Sequence, residues 1–246
     1  MRLQDLHILY EDDFIIAIDK PAGVLSIPDR FNADADNLVS ILKLNYPQII
    51  PVHRLDKFTS GIILFAKDAN THKLLSGDFA ERKIEKYYYA IVDGIPTPSI
   101  GSINVPITES MVTRGKMLVH KRGKESTTDY KIIESFKNFS LIYLRLHTGR
   151  MHQIRVHMQY LGNPLVVDNL YGNREALYLS EIKHKKFNLG KNEEERPLLH
   201  RQPLHGAKLV LIHPETQKKL EIESVLPKDM KATLSQMEKW NKSKTI

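Results

Sequence analysis

The chain has 246 residues, no cysteine, and 36 lysines and arginines against 29 aspartates and glutamates, for a formal net charge of +7. Without cysteine there is no disulfide, no thiolate metal site and no cysteine nucleophile. The acids scattered through the first twenty residues exclude the apolar core of a secretory signal, and no apolar run approaches the ~18 residues that span a bilayer. The composition therefore reads as a soluble cytoplasmic protein, and the basic excess favours an anionic partner such as nucleic acid.

In chain order, LHILYEDDFIIAIDKPAGVLSIP opens with two short apolar runs around acids and a Pro-Ala-Gly turn, which predicts strand, turn, strand. DNLVSILKLNYP has helical spacing and a proline stop. GIILFAK is a continuous apolar run of strand length, as expected for a strand buried on both faces. NTHKLLSGDFAERK predicts a helix capped at Asn70. KYYYAIVDG is aromatic and β-branched and ends in Asp-Gly, so it predicts a strand.

TRGKMLVHKRGKES is basic and glycine-punctuated, a hairpin or loop. TTDYKIIESF and FSLIYLRLHTG alternate like antiparallel neighbours, and RMHQIRVHMQYLG follows as a helix. SEIKHKKFNLGKNEEERP reads as a charged surface insertion, and HGAKLVLIHPETQKKLEIESVLP as a hairpin. Met230, Leu234, Met237 and Trp240 fall at helical steps, so a terminal docking helix is expected over about 228–246. No repeat or linker divides the chain. The expectation is one α+β domain, 1–246, on a largely antiparallel mixed sheet flanked by helices and loops.

Three stretches could carry chemistry. In HRLDKFTSGIILFAK, Asp56 lies between Arg54 and Lys57, which would hold a carboxylate ionised. From the residues alone it is either a surface ion pair or a nucleophile or base. In HTGRMHQIRVHM, His147, His152 and His157 are five apart, off any single helix face, and no carboxylate accompanies them, so no metal site is expected. There Gly149 precedes a helix start carrying Arg150, Gln153 and Arg155, a donor set suited to phosphate or carboxylate. In KYYYAIVDG, Tyr88 occupies one strand face and Tyr87 and Tyr89 the other, either as packing or as a stacking partner for a base.

HRLDKFTSGIILFAK, EKYYYAIVDG and LHTGRMHQIRVHMQYLGNPLVVDNLYG, taken in order, resemble the successive signature motifs of the RluA-type pseudouridine synthases. AIDKPAGVLSIP before them and LHGAKLVLIHPETQKKLEIESVLP after them extend the resemblance over roughly Leu6 to Leu226. The resemblance implies the fold of that family's catalytic domain. It also implies isomerisation of uridine to pseudouridine in rRNA or tRNA, with no cofactor and no metal. It sets Asp56 at the catalytic aspartate, Tyr88 at the tyrosine that stacks on or deprotonates the base, and Arg155 at the active-site arginine that would pair with Asp56. Arg54 stands where an arginine fills the gap left by an extruded base. His53, Thr59, Lys86, Arg150, His152 and Gln153 complete the expected RNA-binding set.

The chain departs from the family in two respects. It enters the catalytic motifs almost at once, so the small RNA-binding module in front of many relatives is expected to be missing, and recognition would fall to residues such as 114–124 and 181–191. Gly206 stands in place of the alanine of the usual Leu-His-Ala, with no expected consequence beyond local packing. The expected partner is structured RNA, with no membrane, and the protein is expected to be a monomer. The rival reading is a non-catalytic RNA-binding or chaperone protein on the same fold, which would have no use for Asp56.

Overall fold

A computed structural model describes residues 2–29, 32, 35–183 and 194–242. After one 3-10 turn at Leu3–Asp5, the elements are β1 (His7–Glu11), β2 (Ile15–Lys20), α1 (Leu38–Lys43), β3 (Ile50–Pro51), β4 (Ser60–Ala66), α2 (Ala69–Ala80) and β5 (Glu85–Asp93). Next come β6 (Ile100–Asn104), β7 (Ile107–Glu109), β8 (Met117–Val119), β9 (Thr127–Ser135), β10 (Phe139–Leu146) and α3 (Gln153–Tyr160). The chain closes with α4 (Leu179–Lys183), β11 (Leu204–Ile212), β12 (Lys219–Glu223) and α5 (Lys228–Trp240). The fold is α+β and its strand pairing mixed, mostly antiparallel, with β4 and β11 running parallel.

The chain forms two compact units: Met1–Tyr88 with His205–Val225, and Tyr89–Leu204 with Leu226–Ile246. In the first, strands run in the order β1-β2-β4-β11, with β3 on β4 and β12 on β11. All seven residues of β4 are buried, which is why GIILFAK shows no polar alternation. Its core gathers Ile15, Ala17, Ile62, Leu64, Leu75, Leu209 and Ile222. Lys20, the last residue of β2, lies opposite Gly61 of β4, so the Pro-Ala-Gly turn after Lys20 emerges beside the chain that enters β4. The parallel register of β4 and β11 sets Gly61 against Gly206. Helix α2 is capped by Asp68, whose Oδ1 accepts the Thr71 amide at 2.9 Å, so the cap is Asp68 and not the expected Asn70.

In the second unit, the order is β5-β10-β9-β6, and β9 and β10 pair antiparallel as their alternation predicted. The core packs Ile91, Phe136, Phe139, Val166, Val167 and Leu177 against Met230 and Met237 of α5, with Leu234 and Trp240 at its margin. The apolar stripe of α5 packs on this core, and residues 243–246 of the expected range lie outside the described residues. The basic stretch 114–124 contains β8, which pairs with β7 as a small separate hairpin. Of 181–191, the second expected recognition stretch, residues 184–191 lie outside the described residues. Among the described residues, no helix is long and apolar enough to cross a membrane.

Candidate active site

The loop 53–59 carries the first set of candidates, and its neighbours pin it on both sides of Asp56. Before Asp56, the Ser26 hydroxyl donates to the Leu55 carbonyl at 2.8 Å and accepts the Leu55 amide at 3.0 Å. After it, the Lys57 carbonyl accepts the Gly23 amide at 2.8 Å and the Lys20 ammonium at 3.0 Å. Lys20 is fully buried and also donates to the carbonyls of Pro21 and Val24. The Asp56 carbonyl accepts the Thr59 amide at 3.1 Å, closing a tight turn. The turn therefore holds the Asp56 side chain, half-buried, at the entrance to β4.

Lys20 was not among the expected site residues. Lys20→Met should destabilise the protein by roughly 2–4 kcal/mol, since three carbonyls lose a charged donor. Urea unfolding of the variant beside wild type measures this.

Tyr88 is buried in the same unit, on the inward face of β5. Burial pushes its phenol far above the usual tyrosine range, and the negative charge of Asp56 pushes it further in the same direction. The phenol is therefore neutral at physiological pH, and its available chemistry is a ring face and a hydroxyl rather than a phenolate base. Arg54 is exposed at the loop surface. Lys86 is buried with its ammonium 5.4 Å from the Phe79 ring centroid, and burial, then the charge of Arg82, lowers its pKa.

His53 and Thr59, both expected to face RNA, are turned to internal work. Thr59 is 2% exposed. The Nε2 of His53 accepts the Leu64 amide at 3.1 Å while the ring stacks on Phe79 at 5.0 Å. Burial, then the charge of Lys86, brings its pKa down to about 3. His157, in the second unit, is brought to about 4 by burial. Both rings stay neutral in the fold while the unfolded chain takes up protons below about pH 6.5. Stability should accordingly be level above about pH 6.5 and fall as the pH drops toward 4. Thermal unfolding across that interval checks this, and a flat melting temperature would contradict it.

In the second unit, the helix start expected to hold an anion holds one from the chain itself. Arg155, 6% exposed, makes a two-pronged ion pair with the buried Asp168, Nε to Oδ2 at 2.7 Å and Nη2 to Oδ1 at 2.8 Å. The same Oδ1 accepts the amides of Leu170 and Tyr171. The Arg155 guanidinium lies 4.8 Å from the Tyr171 ring centroid. The Tyr171 hydroxyl accepts the Met117 amide at 2.7 Å and meets His152 Nδ1 at 2.9 Å. Asp168 and Tyr171 were missed: thirteen and sixteen residues beyond Arg155, they answer to no helical or strand period.

Gln153, expected to touch RNA, is buried and internally satisfied. Its Oε1 accepts from Thr148 Oγ1 and the Arg150 amide, and its Nε2 donates to the Thr127 carbonyl and Thr128 Oγ1. Arg150 is half-buried with its Nε on the Glu125 carbonyl. The three evenly spaced histidines have separate partners: His147 meets Asp129, His152 meets Tyr171 and His157 meets Thr128. Among the described residues, no three His, Asp or Glu side chains are grouped to hold a metal ion.

Comparison with solved structures identifies the class to which this fold belongs. Human RNA Pseudouridylate Synthase Domain Containing 4 matches 94% of this chain with 92% of its own, at a TM-score of 0.72 and 27% identity. Human RNA Pseudouridylate Synthase Domain Containing 1 shares the fold at a TM-score of 0.67 and 23% identity, over 97% of each chain. The sequence model of the RNA pseudouridylate synthase family matches residues 14–160.

Among curated relatives, ribosomal large subunit pseudouridine synthase D of Pseudomonas aeruginosa is 38% identical over 236 residues, covering 94% of this chain and 71% of that protein. Dual-specificity RNA pseudouridine synthase RluA of Escherichia coli is 35% identical over 211 residues, 85% of this chain and 88% of that protein. The chain belongs to the RNA pseudouridylate synthase family, an enzyme family of RNA-uridine isomerases, and within it to the RluA type.

Proposed function

We propose that this protein isomerises uridine to pseudouridine in ribosomal or transfer RNA, with Asp56 as the reacting carboxylate. The observation that carries the reading is the pinned loop: backbone contacts on both sides of Asp56 hold its side chain where its charge bears on the buried ring of Tyr88. The names of the relatives, one a large-subunit rRNA synthase and one of dual specificity, support the two RNA classes.

The target base is first turned out of its stack, at a cost of a few kcal/mol. Arg54, exposed on the loop, is assigned to the vacated space and the neighbouring phosphate. The neutral phenol of Tyr88 supplies a face for the extruded uracil. The bond from N1 to the ribose breaks, the base turns, and C5 bonds to the same ribose carbon; the C5 proton leaves to water and N1 takes up a proton, so the product is an isomer of the substrate. Asp56 serves either by attacking that ribose carbon or by removing a sugar proton; both routes use one carboxylate. Arg155, oriented by Asp168, is assigned as the site's arginine. The change is redox-neutral and intramolecular, so no cofactor or metal is assigned.

Tritium release from transcripts labelled at uridine C5 tests this. Release into water from an rRNA or tRNA transcript, matched to pseudouridine formed, is the expected result and identifies the substrate class. RNA bound without release would favour the non-catalytic reading.

A further inference from the structure

We infer that Phe58 is a stacking platform for a nucleotide of the RNA next to the target uridine, which rests on the synthase reading above. Single exposed apolar side chains are ordinary on protein surfaces. The position of this one is not, because Phe58 is 47% exposed two residues after Asp56, in a loop whose other apolar member, Leu55, is buried. The backbone on either side is fixed: the Lys57 carbonyl by Lys20 and Gly23, and the Thr59 amide by Asp56. The ring is thus presented outward from a rigid turn, and little order remains to be imposed when a base lands on it.

Its surroundings select the partner. The Lys57 ammonium lies 5.6 Å from the ring centroid, and Arg54 and Lys57 are both exposed on the same loop. An aromatic face flanked by cations suits a base with its phosphates, the combination found in single-stranded nucleic-acid grooves. An acidic or purely apolar protein surface would engage only one half of it. A nucleotide flanking the extruded uridine has lost a stacking neighbour, and Phe58 offers a replacement beside the reacting carboxylate.

The test uses full-length protein with Phe58→Ala, Phe58→Leu and Phe58→Trp, and fluorescein-labelled rRNA and tRNA transcripts. Binding is read by anisotropy and turnover by tritium release. Phe58→Ala is expected to weaken binding and raise KM about five- to hundredfold, the range of one lost base–aromatic stack. Phe58→Leu should lose nearly as much, and Phe58→Trp should bind at least as tightly as wild type. Melting temperatures measured on the same proteins separate a lost stack from a lost fold, and the abasic transcript isolates the base contact. With the flanking base replaced by an abasic residue, Phe58→Ala should cost nothing more.

Unchanged binding for Phe58→Ala, or equal losses for all three variants, overturns the inference while wild-type turnover leaves the synthase reading intact. Wild-type binding without turnover overturns the synthase reading, and the binding series still decides the stack. Wild type that binds neither transcript overturns both.

Discussion

Gly61→Ala is expected to leave little folded protein. Gly61 has a φ of +109°, where an L side chain is strained, and an added Cβ would lie 2.2 Å from the Gly206 carbonyl oxygen and 2.5 Å from its nitrogen. Both obstacles are backbone, so no side-chain rotation relieves them. Backbone strain of about 1–3 kcal/mol and an overpacking cost of about 1–3 kcal/mol together make roughly 2–6 kcal/mol. That is a large part of the ~5–15 kcal/mol that holds a domain folded. Soluble yield and thermal melting measure it.

Gly206→Ala is the control from the facing strand. Its Cβ would meet Ile62 nitrogen at 3.4 Å and Tyr88 Cε1 at 3.5 Å, ordinary contact, and its φ is not in the left-handed region. It should be neutral or stabilising by about 0.4–1 kcal/mol through the unfolded chain. The glycine that departs from the family pattern is thus replaceable, and the one inside the loop-strand motif is not.

Asp168→Ala is expected to be the most damaging change in the second unit. It removes the carboxylate that Arg155 Nε and Nη2 and the amides of Leu170 and Tyr171 all contact. Removing one partner of a buried ion pair costs about 3–5 kcal/mol, because the other charge stays buried. For a chain of this size that corresponds to a fall of roughly 6–20 °C in melting temperature. Asp168→Asn keeps an oxygen in place and should lose less. Melts of both variants beside Arg155→Met test the pairing: if it is shared, the double change Asp168→Ala with Arg155→Met costs clearly less than the sum of the two.

What was legible in the sequence was what local pattern encodes. The unbroken apolar run of β4, the alternation of β9 and β10, and the apolar steps of α5 each correspond to the observed element. The cap of α2 was misplaced by two residues because Asp68 and Asn70 are both good caps, and only the reach of Asp68 Oδ1 to the Thr71 amide decides. The candidate site was legible through its ordered motifs, yet the work of several members was not. Thr59 and Gln153 look like donors for a ligand, yet Thr59 is buried and the donors and acceptors of Gln153 are spent inside the fold. Lys20 and Asp168 were passed over because the partner that ties each to a distant part of its unit, the Lys57 carbonyl and the Arg155 guanidinium, is brought to it by tertiary pairing, which no spacing announces.

If Asp56 performs the isomerisation, single-turnover assay with Asp56→Ala and Asp56→Asn will show it. Each protein is mixed in excess with the transcript that wild type modifies, and the digested RNA is scored for pseudouridine, with binding measured in parallel. Wild type should give stoichiometric pseudouridine and neither variant any, with RNA affinity within a few-fold for all three. Pseudouridine formed by Asp56→Ala would show that another group carries the chemistry.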